Sequence, residues 1–170
     1  MAAKNTIEDL LSDEIKDLYS AEKQLTKAIP KMAKGANSPE LRAAFEGHLK
    51  ETENQVVRLE KAAQLLGIKP SGKKCMGMEG LLAEGGEILA EEGEEDVLDL
   101  GIIGAGTRVE HYEMAGYMTA IGLAERLEMD DVVNLLQASL AEEQNADKKL
   151  RALSGRLVQS APVGEQMAKR

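Results

Sequence analysis

The chain has 170 residues, enough for one domain with a hydrophobic core of its own. Its formal net charge of −9 argues against general binding to nucleic acid, because phosphates attract basic patches. It has one Phe, three Tyr and no Trp, so its core must be built mainly from aliphatic side chains. This composition favours helices packed on helices.

Cysteine and apolar content also exclude some protein classes. Cys75 is the only cysteine, so an intrachain disulfide cannot form. The first residues lack the apolar core of a signal peptide, and no apolar run approaches the roughly 20 residues of a membrane span. We therefore expect a cytoplasmic protein that does not cross a membrane.

The first two predicted helices form a hairpin with a short turn. A capping box begins a helix over about 6–34, whose apolar residues follow spacings of four and three, with one polar position between 18 and 25. They are Leu11, Ile15, Leu18, Leu25 and Ile29. Ser38 and Pro39 form a strong start signal for the second helix, which ends at Gly67.

A long connection follows, and then a second hairpin. Residues 68–94 are rich in glycine, and within them 78–91 predict a short amphipathic helix. The next long helix covers about 95–127, and Asp130 starts the last one, which ends before Pro162.

Two hairpins joined by one long crossover predict a ferritin-like four-helix bundle. The fold class is therefore all-α, with a short helix inside the crossover between the second and third long helices. We expect one domain over residues 1–160 and a flexible C-terminal tail over 161–170.

Each long helix carries polar side chains in the middle of its apolar seam. Counting from the turns places one carboxylate of each helix in a single layer at half height: Glu22, Glu51, Glu113 and Glu143. Three further side chains lie about one turn away: His48, Glu110 and Asp147. Burying so many carboxylates without cations would be costly, so the pattern predicts a metal site.

Oxygen ligands with an imidazole suit iron, with manganese or zinc as alternatives. Because acids usually bridge two metals in such bundles, we expect two irons per chain. Glu51 and Glu143 are the expected bridges, and Glu22 and Glu113 the caps. No catalytic residue can be assigned, and Cys75 is interpreted as an ordinary thiol rather than an oxidant sensor.

Several stretches resemble the bacterial YciE/YciF family, and the YciF branch more closely. They are Asp17–Leu25, His48–Thr52, Cys75–Leu81, Val109–Ala115 and Leu140–Glu143. The resemblance implies a ferritin-like fold, a homodimer and a link to bacterial stress responses.

One departure from the ferritin-like di-iron pattern leaves two functions open. Those proteins carry Glu-x-x-His on two helices. Here the residue three positions after Glu51 is Asn54, and the residue three positions after Glu143 is Ala146, so neither motif has its histidine. The first hypothesis is a di-metal, di-iron carboxylate protein with oxidase, ferroxidase or peroxide chemistry. The alternative is a non-catalytic, stress-induced structural or partner-binding helical dimer with an empty or vestigial metal site, and the departure favours it.

Overall fold

A computed structural model describes residues 5–164, and every regular element in this range is an α-helix. The helices are α1 (Ile7–Gly35), α2 (Pro39–Leu65), α3 (Met76–Ile88), α4 (Glu95–Arg126) and α5 (Asp130–Ser160). The four long helices begin and end close to their predicted positions, and α3 is the short helix of the crossover. None of these helices is long and apolar enough to cross a membrane.

The predicted C-terminal tail is only partly described. Helix α5 ends at Ser160, and 161–164 continue without helix. Residues 1–4 and 165–170 lie outside the described part of the chain, so a flexible tail stays a prediction.

The four long helices form the predicted bundle. Helix α1 packs against α2 and α4, and α5 packs against the same two helices. Across the α2–α5 face, Glu40 pairs with Arg156 near one end and Arg58 pairs with Glu142 nearer the middle, so these helices are antiparallel. The crossover through α3 makes α2 and α4 parallel, which is the ferritin-like connectivity.

Local sequence explains where the first hairpin starts and turns. Thr6 Oγ1 accepts a hydrogen bond from Asp9 N at 3.1 Å, and Asp9 Oδ2 accepts one from Thr6 N at 3.2 Å, which completes the capping box of α1. Ser38 caps α2 with Pro39 in the first turn. After α2 the chain passes through Gly67 with φ +67°, a conformation that glycine adopts without a steric penalty.

The hydrophobic core is divided into two halves. One half, near the α1–α2 turn, contains Leu25, Ile29, Phe45, Ile102 and Leu150. The other, near the α4–α5 turn, contains Leu11, Ile15, Leu59, Tyr117 and Leu136. Between the halves lie buried polar side chains that we call the polar layer: Glu22, His48, Thr52, Gln55, Glu110, Glu113 and Glu143.

The crossover is fastened to the bundle through Cys75, which caps the start of α3. Its thiol donates a hydrogen bond to Asp17 Oδ2 at 3.0 Å, and Sγ lies 2.9 Å from the Tyr112 hydroxyl. Burial, and then the Asp17 carboxylate, raise the pKa of the Cys75 thiol. Because the thiolate is the reactive form, this environment favours the interpretation of Cys75 as an ordinary thiol.

A buried carboxylate holds the α1–α2 turn against α4. Asp99, only 1% exposed, accepts hydrogen bonds from the backbone nitrogens of Asn37 at 2.8 Å and Ser38 at 2.7 Å. Asp99→Ala would leave both N–H groups without this acceptor. We expect it to lower the free energy of unfolding by roughly 2–4 kcal/mol, measured by urea denaturation.

The matched control for this variant is Asp96→Ala, which changes an acid one turn earlier on the same helix. Asp96 accepts a hydrogen bond from the Ser160 hydroxyl at an exposed position. Its loss should change the free energy of unfolding by less than about 1 kcal/mol. Equal destabilisation by the two variants would contradict the role given to Asp99.

Candidate metal centre

Helix α2 contributes three side chains to the polar layer because its inward positions follow spacings of four and three. Phe45, His48, Thr52, Gln55 and Leu59 continue one buried stripe along the helix. The three polar members of this stripe therefore lie between the two apolar halves of the core.

The other three long helices bring glutamates to the same level. Glu110 and Glu113 of α4 lie one turn apart on the buried face, Glu22 comes from α1 and Glu143 from α5. All four side chains are almost completely buried, with exposed fractions of 0–2%. Charged side chains are rarely buried to this extent without a partner of opposite charge.

Four of these residues converge closely enough to share a metal ion. One ligand atom each from His48, Glu110, Glu113 and Glu143 lies within 4.8 Å of the others. The Nε2 atom of His48 is 3.4 Å from Glu110 Oε1 and 3.6 Å from Glu143 Oε2. The imidazole thus directs this nitrogen at the carboxylates.

Glu22 stands beside this group and is held by a tyrosine. The Tyr117 hydroxyl donates a hydrogen bond of 2.5 Å to Glu22 Oε1. Tyr117 is itself fully buried, so this contact orients the carboxylate from the protein side. The second oxygen of Glu22 has no hydrogen-bond partner.

The donor atoms of the polar layer fit a cation. Several are buried without a hydrogen-bond partner: Glu22 Oε2, His48 Nε2, Glu110 Oε2, both oxygens of Glu113 and Glu143 Oε2. Buried polar atoms are normally hydrogen-bonded, and each exception needs an explanation. A metal ion coordinated by carboxylate oxygens and one imidazole explains all of these exceptions together.

The electrostatics of the metal-free centre lead to the same conclusion. Burial, and then the charges of neighbouring glutamates, raise the pKa values of Glu22 and Glu113 well above 4.5. Burial and the adjacent Glu143 do the same to Glu110. Without a cation, these groups hold protons to avoid mutual repulsion, and a cation would displace the protons.

Glu51 occupies a different place from the bridging position predicted from the sequence. Its side chain is 26% exposed, and Oε2 lies 3.2 Å from Nδ1 of His48, the nitrogen that faces away from the carboxylates. Oε1 lies 3.9 Å from Lys149 Nζ. A hydrogen bond from His48 lowers the pKa of Glu51. The structure thus places Glu51 behind the imidazole, where it can fix the orientation of the ring.

Asp147, the remaining predicted ligand, is turned toward other partners. It is 3% exposed, but Oδ1 lies 3.2 Å from His111 Nε2 and Oδ2 lies 2.5 Å from an Arg151 nitrogen. The structure therefore does not bring Asp147 into the group of four converging residues.

Thr52 and Gln55 of the layer, and Tyr117 beside it, are not among the metal ligands predicted from the sequence. Gln55 Nε2 donates to Glu143 Oε1, Thr52 is fully buried, and Tyr117 holds Glu22. The spacing of inward positions along α2 indicates that Gln55 and Thr52 are buried, because both fall on that face. The contact of Tyr117 with Glu22 joins two helices distant in sequence, and no local pattern indicates it.

Comparisons with known proteins agree with this architecture. The family model described as a domain of unknown function, DUF892, matches residues 6–162. Protein YciF of Escherichia coli (strain K12) is 39% identical over 150 residues, covering 88% of this chain and 90% of YciF.

Solved structures agree as well. The crystal structure of the E. coli stress protein YciF matches with a TM-score of 0.89 and 38% identity, covering 93% of this chain and 100% of that one. YcfI from Rhodopseudomonas palustris matches with a TM-score of 0.83 and 43% identity, covering 86% and 94%.

A more distant match extends the fold beyond these relatives. Ferritin-like, diiron-carboxylate proteins from Bacillus anthracis str. Ames match with a TM-score of 0.69 and 15% identity, covering 89% of this chain and 99% of that one. At this identity the match shows the fold alone. The chain therefore belongs to the YciE/YciF family, whose family model is DUF892, and has a ferritin-like fold.

Proposed function

We propose that this protein is a di-metal carboxylate protein that binds two irons per chain and reacts with dioxygen or peroxide. The observation that carries the proposal is the convergence of His48, Glu110, Glu113 and Glu143 in the buried core, with ligand atoms within 4.8 Å of one another. Unpartnered donor atoms in the same place supply the driving force for binding a cation.

The proposed ligands are the four converging residues together with Glu22. Two irons in this site would each supply one electron on going from the ferrous to the ferric state, and the pair would thus supply the two electrons that reduction of peroxide to water, or of dioxygen to peroxide, requires. An oxygen-rich ligand set favours the higher oxidation state, so oxidation of a ferrous substrate or of the bound metal fits this site.

The surrounding residues hold the ligands in place. Tyr117 orients Glu22, and its own pKa is raised by burial and by the charge of Glu22, so its hydroxyl keeps the proton that it donates. Glu51 orients His48 from the outside and favours Nε2 as the coordinating atom. Gln55 donates to Glu143, which leaves the second oxygen of that carboxylate for a cation.

The size of a narrow opening between α2 and α5 favours a very small substrate. A cavity of about 10 Å³ there is lined by Ala44, Phe45, His48, Glu110, Ala146, Lys149 and Leu150. Its volume is about that of one water molecule, and most of its walls are apolar. So narrow an opening favours a small inorganic substrate such as dioxygen or hydrogen peroxide over a larger organic one.

The description of one relative supports a stress-related role. The E. coli relative is called a stress protein, and detoxification of peroxide or ferrous iron is a chemistry that would serve such a protein. We extend this role to the present chain, together with a cytoplasmic location and a homodimeric state.

Metal analysis of protein purified without chelators tests the proposal. We expect about two irons per chain, and addition of ferrous iron to metal-free protein should raise the melting temperature, because the folded state alone binds the metal tightly. Less than one metal per chain, with an unchanged melting temperature after addition of iron, manganese or zinc, would instead support the structural or partner-binding alternative.

A further inference from the structure

A separate cavity of about 290 Å³ lies on the outside of the bundle, between α1, α3 and α4. Helix α3 rests mainly on α4 and touches α1 less, which leaves a cleft along the α1 side. The cleft is lined by apolar side chains from all three helices: Ala28, Met32, Leu81, Leu82, Leu89 and Val109. Such a lining is typical of a pocket for an apolar ligand.

Two glycines of α3 contribute to the space. Gly85 and Gly86 both line the cleft. A Cβ atom at Gly86 would meet nothing within 4 Å, and one at Gly85 would lie 3.5 Å from the nearest atom, on Ala105. Side chains could therefore be accommodated at both positions, and their absence leaves the cleft open.

The charges at the cleft all have one sign. Lys27 and Lys31 lie one turn apart on the exposed side of α1 and are the only charged residues of the lining. Within residues 5–164, neither ammonium is paired with a carboxylate. Two unpaired lysines beside an apolar cleft, in a chain of net charge −9, complement a ligand with an anionic head and an apolar chain.

We propose that this cleft binds one molecule of a free, single-chain anionic amphiphile, such as a medium-chain carboxylate. The apolar chain would lie along α3, and its head group would contact Lys27 and Lys31. A cavity of 150 Å³ is known to hold benzene, so about twice that volume accommodates a chain of about ten carbons. This site is separate from the polar layer, and its occupation does not depend on a metal.

Isothermal titration with sodium decanoate below its micelle-forming concentration tests the proposal on the full chain. We expect saturable binding of one molecule per chain, at least about tenfold tighter than that of decyltrimethylammonium, which has the same chain and the opposite charge. Lys27→Glu/Lys31→Glu should weaken decanoate binding by about tenfold or more. The control Lys61→Glu/Lys69→Glu makes the same charge change elsewhere and should bind decanoate like the parent protein.

A second pair of variants tests the apolar part of the cleft. Gly86→Leu should fill the space and abolish decanoate binding, whereas Gly80→Leu makes the same change on α3 outside the lining. Both positions have room for a side chain, so helix content measured by circular dichroism should stay the same in both.

Several outcomes would overturn the proposal. They are no saturable binding of decanoate, equal affinity for the two head groups, or unchanged binding in Gly86→Leu. Binding to vesicles of anionic phospholipid without binding of free decanoate would assign the two lysines to a membrane surface, and would also overturn it.

Discussion

Replacement of Glu113 by glutamine is expected to abolish metal binding while helix content stays that of the parent protein. Glu113 is completely buried, and both of its oxygens lack a hydrogen-bond partner, so both are available to a cation. Glutamine has nearly the same shape but carries no charge and only one acceptor oxygen. Metal content by elemental analysis and helix content by circular dichroism give the two measurements.

Two further variants make this result specific. Glu125→Gln removes an exposed carboxylate from the same helix and should leave metal content unchanged. Glu51→Gln should weaken metal affinity by about 10–100-fold without abolishing binding, because Glu51 acts through His48. If Glu51→Gln instead lost all metal, Glu51 would be a ligand, as the sequence predicts. Retention of two metals by Glu113→Gln would place the site elsewhere.

The metal-free protein is expected to lose stability as the pH rises from about 5 to about 8. Burial, and then repulsion by neighbouring carboxylates, raise the pKa values of Glu22, Glu110 and Glu113 above the 4.5 of a free glutamate. Above pH 4.5 the folded chain therefore holds more protons than the unfolded chain. Its stability falls with pH by up to about 1.4 kcal/mol per pH unit for each group that stays protonated.

Melting temperatures across this pH range, with and without iron, measure the effect. Bound metal replaces the protons, so the metal-loaded protein should be stabilised more at pH 8 than at pH 5. Metal-free Glu113→Gln should show a weaker pH dependence than the parent protein. Asp17 and Glu51 have lowered pKa values and contribute their changes below about pH 4.5, outside this window. A melting temperature of the metal-free parent protein that rose from pH 5 to pH 8 would contradict the prediction.

The fold was predictable because its signals are local. The capping box at Thr6, the Ser38-Pro39 start and the spacing of apolar residues depend on neighbours in sequence. Turn lengths then determine which helices lie side by side. The two halves of the core follow from the same spacing, since polar residues interrupt the seam of every long helix.

The candidate site was predictable only in part. On α2 the inward rhythm passes through His48 and Thr52, yet a carboxylate is a better ligand than a hydroxyl, so the sequence favoured Glu51 over its neighbour. In the structure Thr52 is fully buried, and Glu51 lies about 100° away around the helix, at its edge. At this position the chemistry of the side chains and the geometry of the helix therefore point to different residues.

The individual side-chain contacts between distant helices could not be predicted, although the level at which the helices meet could be. The bond from Tyr117 to Glu22 and the turn of Asp147 toward His111 and Arg151 depend on how α1, α4 and α5 are rotated about their axes. One sequence gives the buried face of a helix to within about one residue position, or 100°. An error of one position is enough to place a side chain that is predicted as a ligand outside the metal centre.

The division of the apolar core has a consequence for how the chain opens. Hydrophobic contacts are continuous within each half, whereas the level between them consists of buried polar groups, several of which lack hydrogen-bond partners. Cooperative units of unfolding follow contiguous packing, so the metal-free bundle would open at its two ends separately. Because its ligands come from all four long helices, a bound ion would join the two halves into a single cooperative unit of unfolding.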